Sequence, residues 1–503
     1  MSIEDIQPPR NEPPRVTQKF IGANVFYLLI VHLWALGLPP MGRDFQWPLP
    51  ASPTPGVPDP IVVLHAVLGE LDFLYQAVNI LALWACMICV FFLTRLAVRG
   101  PWWLGSLAAT LLMANPVKTE AVLLHSGFAD LLSAFLALLS LTLYACHAAH
   151  PRASRLAGAI LCFALASLFE RNFLLAGVFV LYEWLLVPKD ARRLRRLVPF
   201  IAITLLAVVL QGRILTHWQD IELLPMLLPL YLILYPIGLL PETMHAIAEE
   251  PIRFWLSAVA ILLFLWLIHR KTRHPALPFA VAGMVLLRMW QPMVEPVHLE
   301  GGGTLLVPAA LFYIAVAAIV RQMIQHPKWL RPMVTITTLV AVFFMGLQVY
   351  TIFQWREAVA TTDLLRHHLS DWMKDHSDSP VVLAPAYMYA GLAPIDLADV
   401  FGEELGAQPL AWHVPLHWVP GMRSSVRKEG QDLRIEIRGA APYAVAGWPY
   451  TLDQVGETHL ADECRMTLES LDEESFVLRA APTNPLAEGV LFVPALNDPP
   501  PGG

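Results

Sequence analysis

Apolar runs long enough to cross a bilayer, about 20 residues each, recur along this chain up to residue 355. They cover roughly residues 20–38, 73–95, 101–115, 129–147, 156–169, 172–188, 197–212, 253–268, 276–293, 303–320 and 333–354. Hydrocarbon offers a peptide group no hydrogen-bond partner, so runs of this kind fold as helices that satisfy their own backbone. The composition agrees. Hydrophobic residues make up 56% of the 503 and charged residues 15%, where a soluble domain carries about a quarter charged residues. The fold class expected is a polytopic α-helical membrane protein of about 11 spans. A net charge of -7 argues against nucleic acid as a partner, because such proteins present a basic face.

Positive charge orients the spans. Arg10, Arg15 and Lys19 precede the first, and Arg95 and Arg99 follow the second. "PKDARRLRR" at 188–196 and "HRKTRH" at 269–274 are the strongest inside signals, and Arg321, Lys328 and Arg331 mark another inside loop. Segment 222–240 is apolar but holds Pro225, Pro229 and Pro236. Counting it as re-entrant, or as lying along the outer face, keeps every basic loop inside. Residues 1–19 are then a cytoplasmic tail, 20–355 the membrane domain and 356–503 an extracytoplasmic domain. The first span reads as retained, since no small-residue cleavage site follows it.

From Trp355 the composition changes. "WREAVATTDLLRHHLSDWMKDH" reads as a helix leaving the membrane, and "SPVVLAPAYMYAGL" as a buried strand and turn. "LRIEIRG" and "SFVLRAA" alternate as antiparallel strands do. A small soluble α+β domain is expected there.

Ionisable residues at the edge of a membrane domain are functional candidates by default. They fall in three predicted outer loops: Arg43 and Asp44; Lys118, Glu120, His125 and Asp130 in "NPVKTEAVLLHSGFADLL"; and Glu170 with Arg171. Each also has a plain structural reading. Lys118 and Glu120 can cap a short interfacial helix, Asp130 can be the N-cap of the next span, and Glu170 can pair with Arg171. Cys86 and Cys89 sit in an apolar run and read as packed small hydrophobes. His413 and His417 are four apart, but Pro415 between them disfavours the helix that would bring them together, and His367, His368 and His376 have no cysteine or close carboxylate pattern of zinc-site type beside them.

The order of these segments resembles the membrane part of the tetratricopeptide-repeat-bearing multispan O-mannosyltransferase-like proteins, of the GT-C class of glycosyltransferases. The resemblance is carried by "YQAVNILALWACMICVFFL", "ANPVKTEAVLLHSGFADLLSAFLALLSLTLY" and "LFERNFLLAGVFVLYEWLL", within about residues 20–190. It implies a GT-C-like fold and an enzyme drawing on a polyprenyl-phosphate-linked sugar on the outer face of a bacterial-type inner membrane. Asp44 matches the acidic position of the first outer loop and would take the acceptor's proton. Lys118, His125 and Arg171 would stabilise the departing phosphate, while Glu120 and Glu170 would hold them or bind sugar hydroxyls; Asp130 is a further substrate-binding candidate. The partners implied are the lipid-linked sugar, membrane lipids and a protein acceptor or partner at the C-terminal domain. No cofactor follows with certainty, and a divalent metal ion stays open.

Several positions depart from the family pattern. Asn115 and Lys118 replace two histidines, Phe128 an arginine and Phe169 a lysine, and Asp44 stands alone beside Arg43 where the family has paired acids. The repeats are replaced by the α+β domain. These departures keep a second reading open: a non-catalytic, GT-C-derived scaffold or assembly subunit that binds a protein partner through its C-terminal domain. A transporter is the weaker third reading, since no duplicated half is visible.

Overall fold

The computed structural model describes residues 60–69, 71–169, 174–211, 274–290, 305–324 and 327–375, the strands named below with their adjoining turns, and isolated positions between 32 and 270. The chain is a multi-pass helical membrane protein with a β-rich C-terminal part. Helix α1 is Pro60–Leu68, α2 Asp72–Val98, α3 Trp102–Ala114, α4 Thr119–Leu123, α5 Gly127–Ala149 and α6 Ala153–Phe169. Then follow α7 Leu175–Leu185, α8 Val198–Gln211, α9 Ala276–Trp290, α10 Leu306–Met323 and α11 Pro327–Asp375.

Four helical stretches among the described residues are long and apolar enough to cross a membrane: Phe73–Val98, Gly127–Ala149, Leu306–Met323 and Thr335–Phe353. They coincide with the expected spans at 73–95, 129–147, 303–320 and 333–354. The expected spans at 101–115, 156–169, 172–188, 197–212 and 276–293 fall on shorter helices of 13, 17, 11, 14 and 15 residues. At 1.5 Å rise per residue, 11 to 14 residues cover about 16–21 Å, less than the roughly 30 Å hydrocarbon core. The expected spans at 20–38 and 253–268, and segment 222–240, lie outside the described residues apart from isolated positions.

Small residues let these helices approach. A Cβ on Gly105 of α3 would meet the Phe91 carbonyl oxygen of α2 at 2.7 Å, and Ala108 and Ala109 on the next turn are fully buried. Ser140 of α5 donates to Ala159 O of α6 (2.6 Å), and Thr142 of α5 to Cys89 O of α2 (3.2 Å). Cys86 and Cys89 are buried in α2 as free thiols. An aromatic cluster joins α5 to α8: Tyr144, Phe163, Phe179 and Phe200 meet edge to face at 5.1–5.7 Å between ring centroids, except Phe179 and Phe200, which lie tilted at 4.2 Å. Of these four membrane-length stretches α10 is the most enclosed and Thr335–Phe353 the least.

The bundle has two chemically distinct ends. Arg95 and Arg99 at the end of α2, the segment 188–196, His274 and Arg321 gather at one. There Arg99 donates to Leu186 O at 2.8 Å, and Arg321 donates to Val98 O. The turn between α1 and α2 and the segment 115–126 gather at the other, where Tyr75 meets both Gly69 and His125.

Helix α11 runs 49 residues without interruption across residue 356. Beyond it, β1 (Val381–Tyr389) pairs antiparallel with β2 (Ala393–Asp396) and parallel with β3 (Leu410–Trp418) and β9 (Val490–Phe492). A second sheet is antiparallel throughout, in the order β4 (Arg423–Glu429), β5 (Asp432–Arg438), β8 (Ser475–Pro482), β7 (Cys464–Leu471), β6 (Thr458–Ala461). The expected strands "LRIEIRG" and "SFVLRAA" are β5 and β8, and they pair with each other, Ile435 opposite Leu478. Alternation decides the faces: Leu433, Ile435, Ile437, Phe476 and Leu478 are buried. On the opposite face Arg479 reaches Glu469 (2.8 Å) and Glu429 (3.3 Å), and Arg434 reaches Glu469 (3.2 Å).

Candidate functional site

The charged stretch 115–130 folds into a compact knot over the ends of α2 and α3. Helix α3 stops at Ala114 because Pro116, two residues later, disfavours helical geometry at Asn115, which is extended. Asn115 then caps a 3-10 turn, Pro116–Lys118, accepting from Val117 N at 2.8 Å. Its amide nitrogen donates to the Tyr313 hydroxyl of α10 (2.6 Å) and to Ile233 O (3.1 Å). One side chain thus starts the turn and ties it to a helix 198 residues away.

Lys118 is fully buried. Its ammonium turns back on α3 and donates to Met113 O and, at 2.8 Å, to Asn115 O. These carbonyls lie at the helix's negative end and have no partner within the helix, so a cation there is a C-terminal cap. Gln348 of α11, also fully buried, completes the arrangement. With its amide oriented to satisfy both ends, it donates to Met113 O (3.0 Å) and accepts from Lys118 Nζ (3.2 Å) and His32 Nε2 (2.7 Å). Burial pushes the Lys118 ammonium well below its ordinary range.

The five-residue helix α4 leaves its last carbonyls unsatisfied, and α2 supplies the donors. Asn79 donates to Val122 O (3.3 Å) and Leu124 O (2.7 Å), and Gln76 to Leu123 O (3.5 Å). One turn earlier Tyr75 donates to Gly69 O (2.8 Å), meets His65 Nδ1 (2.7 Å), and lies flat against the His125 ring, 4.4 Å between centroids at 10°. His125 is therefore an almost buried, stacked ring. The next helix begins at Gly127 with Ser126 in the cap position, so Asp130 is not the N-cap that its sequence context suggested. It sits buried in the first turn of α5, where a carboxylate opposes the positive end of the helix dipole.

The structure thus brings Lys118, His125 and Asp130 into one knot. Glu120 stands at the second position of α4, with its side chain outside the described residues; Asp44, Glu170 and Arg171 also lie outside them. Tyr75, Gln76 and Asn79 were not singled out from sequence. The signal for them was available: three polar groups at i, i+1 and i+4 on one face of an apolar run. Among the described residues no three His, Cys, Asp or Glu stand close enough to hold a metal ion.

A second set of buried polar groups lies at the basic end. Glu183 of α7, fully buried, accepts from the Tyr144 hydroxyl (2.7 Å) and Arg193 N (2.6 Å), with Arg196 at 3.9 Å. His274 Nδ1 accepts from Ala276 N (3.2 Å), which places the ring proton on Nε2, facing Val98 O at 3.2 Å; Arg321 stands 3.1 Å from the same nitrogen. Burial, and then Arg321, hold the imidazole neutral, with its pKa pushed down from 6.5 to about 4. The unfolded chain takes up this proton near pH 6.5 and the folded one only near pH 4. The contribution is therefore complete above the first value and is lost as pH falls through the window to the second. Thermal midpoints in detergent at pH 7.5 and 4.5 should fall further for wild type than for His274→Gln. Equal falls would remove His274 from this account.

No family model, curated protein or solved structure matches this chain.

Proposed function

We propose that this chain is a GT-C-like membrane glycosyltransferase of about 11 spans. In this reading the knot at 115–130 forms one wall of a site for a polyprenyl-phosphate-linked sugar, on the outer face of a bacterial-type inner membrane. The observation carrying it is the His125 ring stacked on Tyr75 of α2, with a buried Asp130 five residues further along the chain, next to a turn held from α2, α10 and α11 at one end of an apolar bundle. A site for a sugar on a lipid carrier needs its polar groups at the membrane edge on a rigid support. Asp44 takes the acceptor's proton, His125 and Arg171 meet the phosphate, and Glu120 and Glu170 bind sugar hydroxyls. Lys118 acts as a positioning residue, because its ammonium is committed to the carbonyls of α3.

That commitment also favours the second reading. A site that has already lost basic residues, and whose remaining lysine is turned inward, suits a non-catalytic scaffold binding a protein partner through its C-terminal part. Direct binding of polyprenyl-phosphate sugars to the purified protein separates the two. The enzyme reading expects saturable binding that Glu120→Gln weakens by about tenfold, the scale of one charge-assisted hydrogen bond. Well-folded wild-type protein that binds none supports the scaffold.

A further inference from the structure

The chain leaving α7 sorts its cations in two directions. Arg192 donates through Nε to Val187 O (3.2 Å) and through its other nitrogen to Trp184 O, closing the end of α7. Arg196 is buried beside Glu183. Lys189, Arg193 and Arg195 are exposed instead, and their side chains make no hydrogen bond or ion pair among the described residues. Asp190 is the one acid between residues 188 and 196.

Large apolar side chains are exposed among these cations: Leu194 at 71%, Trp184 at 63% and Val198 at 60%. The exposure continues along α8 at Ile201, Leu205 and Val209. From Val198 the steps are three, four and four residues, which keeps them on one helical face. An apolar stripe on the outside of a membrane bundle is covered by acyl chains. The cations at its head then stand at headgroup depth, where Trp184 also belongs.

We propose that the corner formed by α7, residues 188–197 and α8 binds an anionic phospholipid. An acyl chain lies along the α8 stripe and the phosphate sits at Arg193 and Arg195. Charge complementarity and continuity with the lipid-facing stripe select a lipid over a protein partner. The site lies at the opposite end of the bundle from the 115–130 knot and stands independently of the sugar-transfer reading.

Native mass spectrometry of the full chain, released from detergent with equal phosphatidylglycerol and phosphatidylcholine, tests this. Wild type should retain phosphatidylglycerol preferentially, and Arg193→Gln/Arg195→Gln should weaken that retention about thirtyfold. Arg193→Lys/Arg195→Lys should keep it, and Arg427→Gln/Lys428→Gln, an equal loss of charge on the distant β4, should leave it unchanged. Equal losses in both glutamine variants, unchanged retention in the first, or displacement by inorganic phosphate at matched concentration would each overturn the proposal.

Discussion

Gly127→Ala should destabilise the protein by at least about 3 kcal/mol, above the usual range for overpacking, and sharply lower the yield of folded material. Gly127 opens α5 directly against the backbone of α4. A Cβ there would overlap the carbonyl oxygen of Ala121 and lie 2.7 Å from its carbonyl carbon. Both are backbone atoms, so no side-chain rotation relieves the contact. Relief requires moving α4, whose carbonyls are held by Asn79 and Gln76. Gly346→Ala is the matched control: nothing lies within 4 Å of the added carbon in α11. Helix propensity should make that change neutral to about 1 kcal/mol stabilising. Thermal unfolding in detergent compares the two. A Gly127→Ala midpoint close to wild type would mean that the knot is loose and cannot hold a binding site in fixed geometry.

Glu183→Ala should cost about 3–5 kcal/mol, the range for removing one partner of a buried charged cluster. The change strands the Tyr144 hydroxyl, the Arg193 amide and the buried Arg196 together. Tyr144→Phe removes only one of these bonds and should cost about 1 kcal/mol. The same unfolding measurement ranks them. If Glu183→Ala and Tyr144→Phe proved equal, the carboxylate would be solvated rather than anchoring the segment after α7. The result also bears on the lipid site, because Glu183 fixes the backbone from which Arg193 projects.

The membrane helices were legible because hydropathy is local: residues 73–95 and 129–147 announce α2 and α5 within a few residues of their ends. Strands β5 and β8 were legible for the same reason, through two-residue alternation over a short run. The cap of α5 was misread. Asp130 has the right residue type, but the cap is Ser126, four residues earlier, and the carboxylate falls inside the first turn. Local sequence allowed either start, and the packing of Gly127 on Ala121 selected one.

By itself, the sequence determined that the chain enters a membrane as helices, that its basic residues gather at one end, and that 115–130 is a polar turn between apolar segments. Each follows from the composition of a short window. Which ionisable groups remain available for chemistry was decided only by the tertiary structure. Lys118, Arg192 and Arg196 look like Arg193 and Arg195 in the sequence, yet the first three are spent on carbonyls or a buried carboxylate. The physical reason is that a cation drawn wholly or partly out of water goes where unsatisfied acceptors lie. Helix ends create those acceptors, and their positions depend on partners as distant as Gln348 and His32, 316 residues apart.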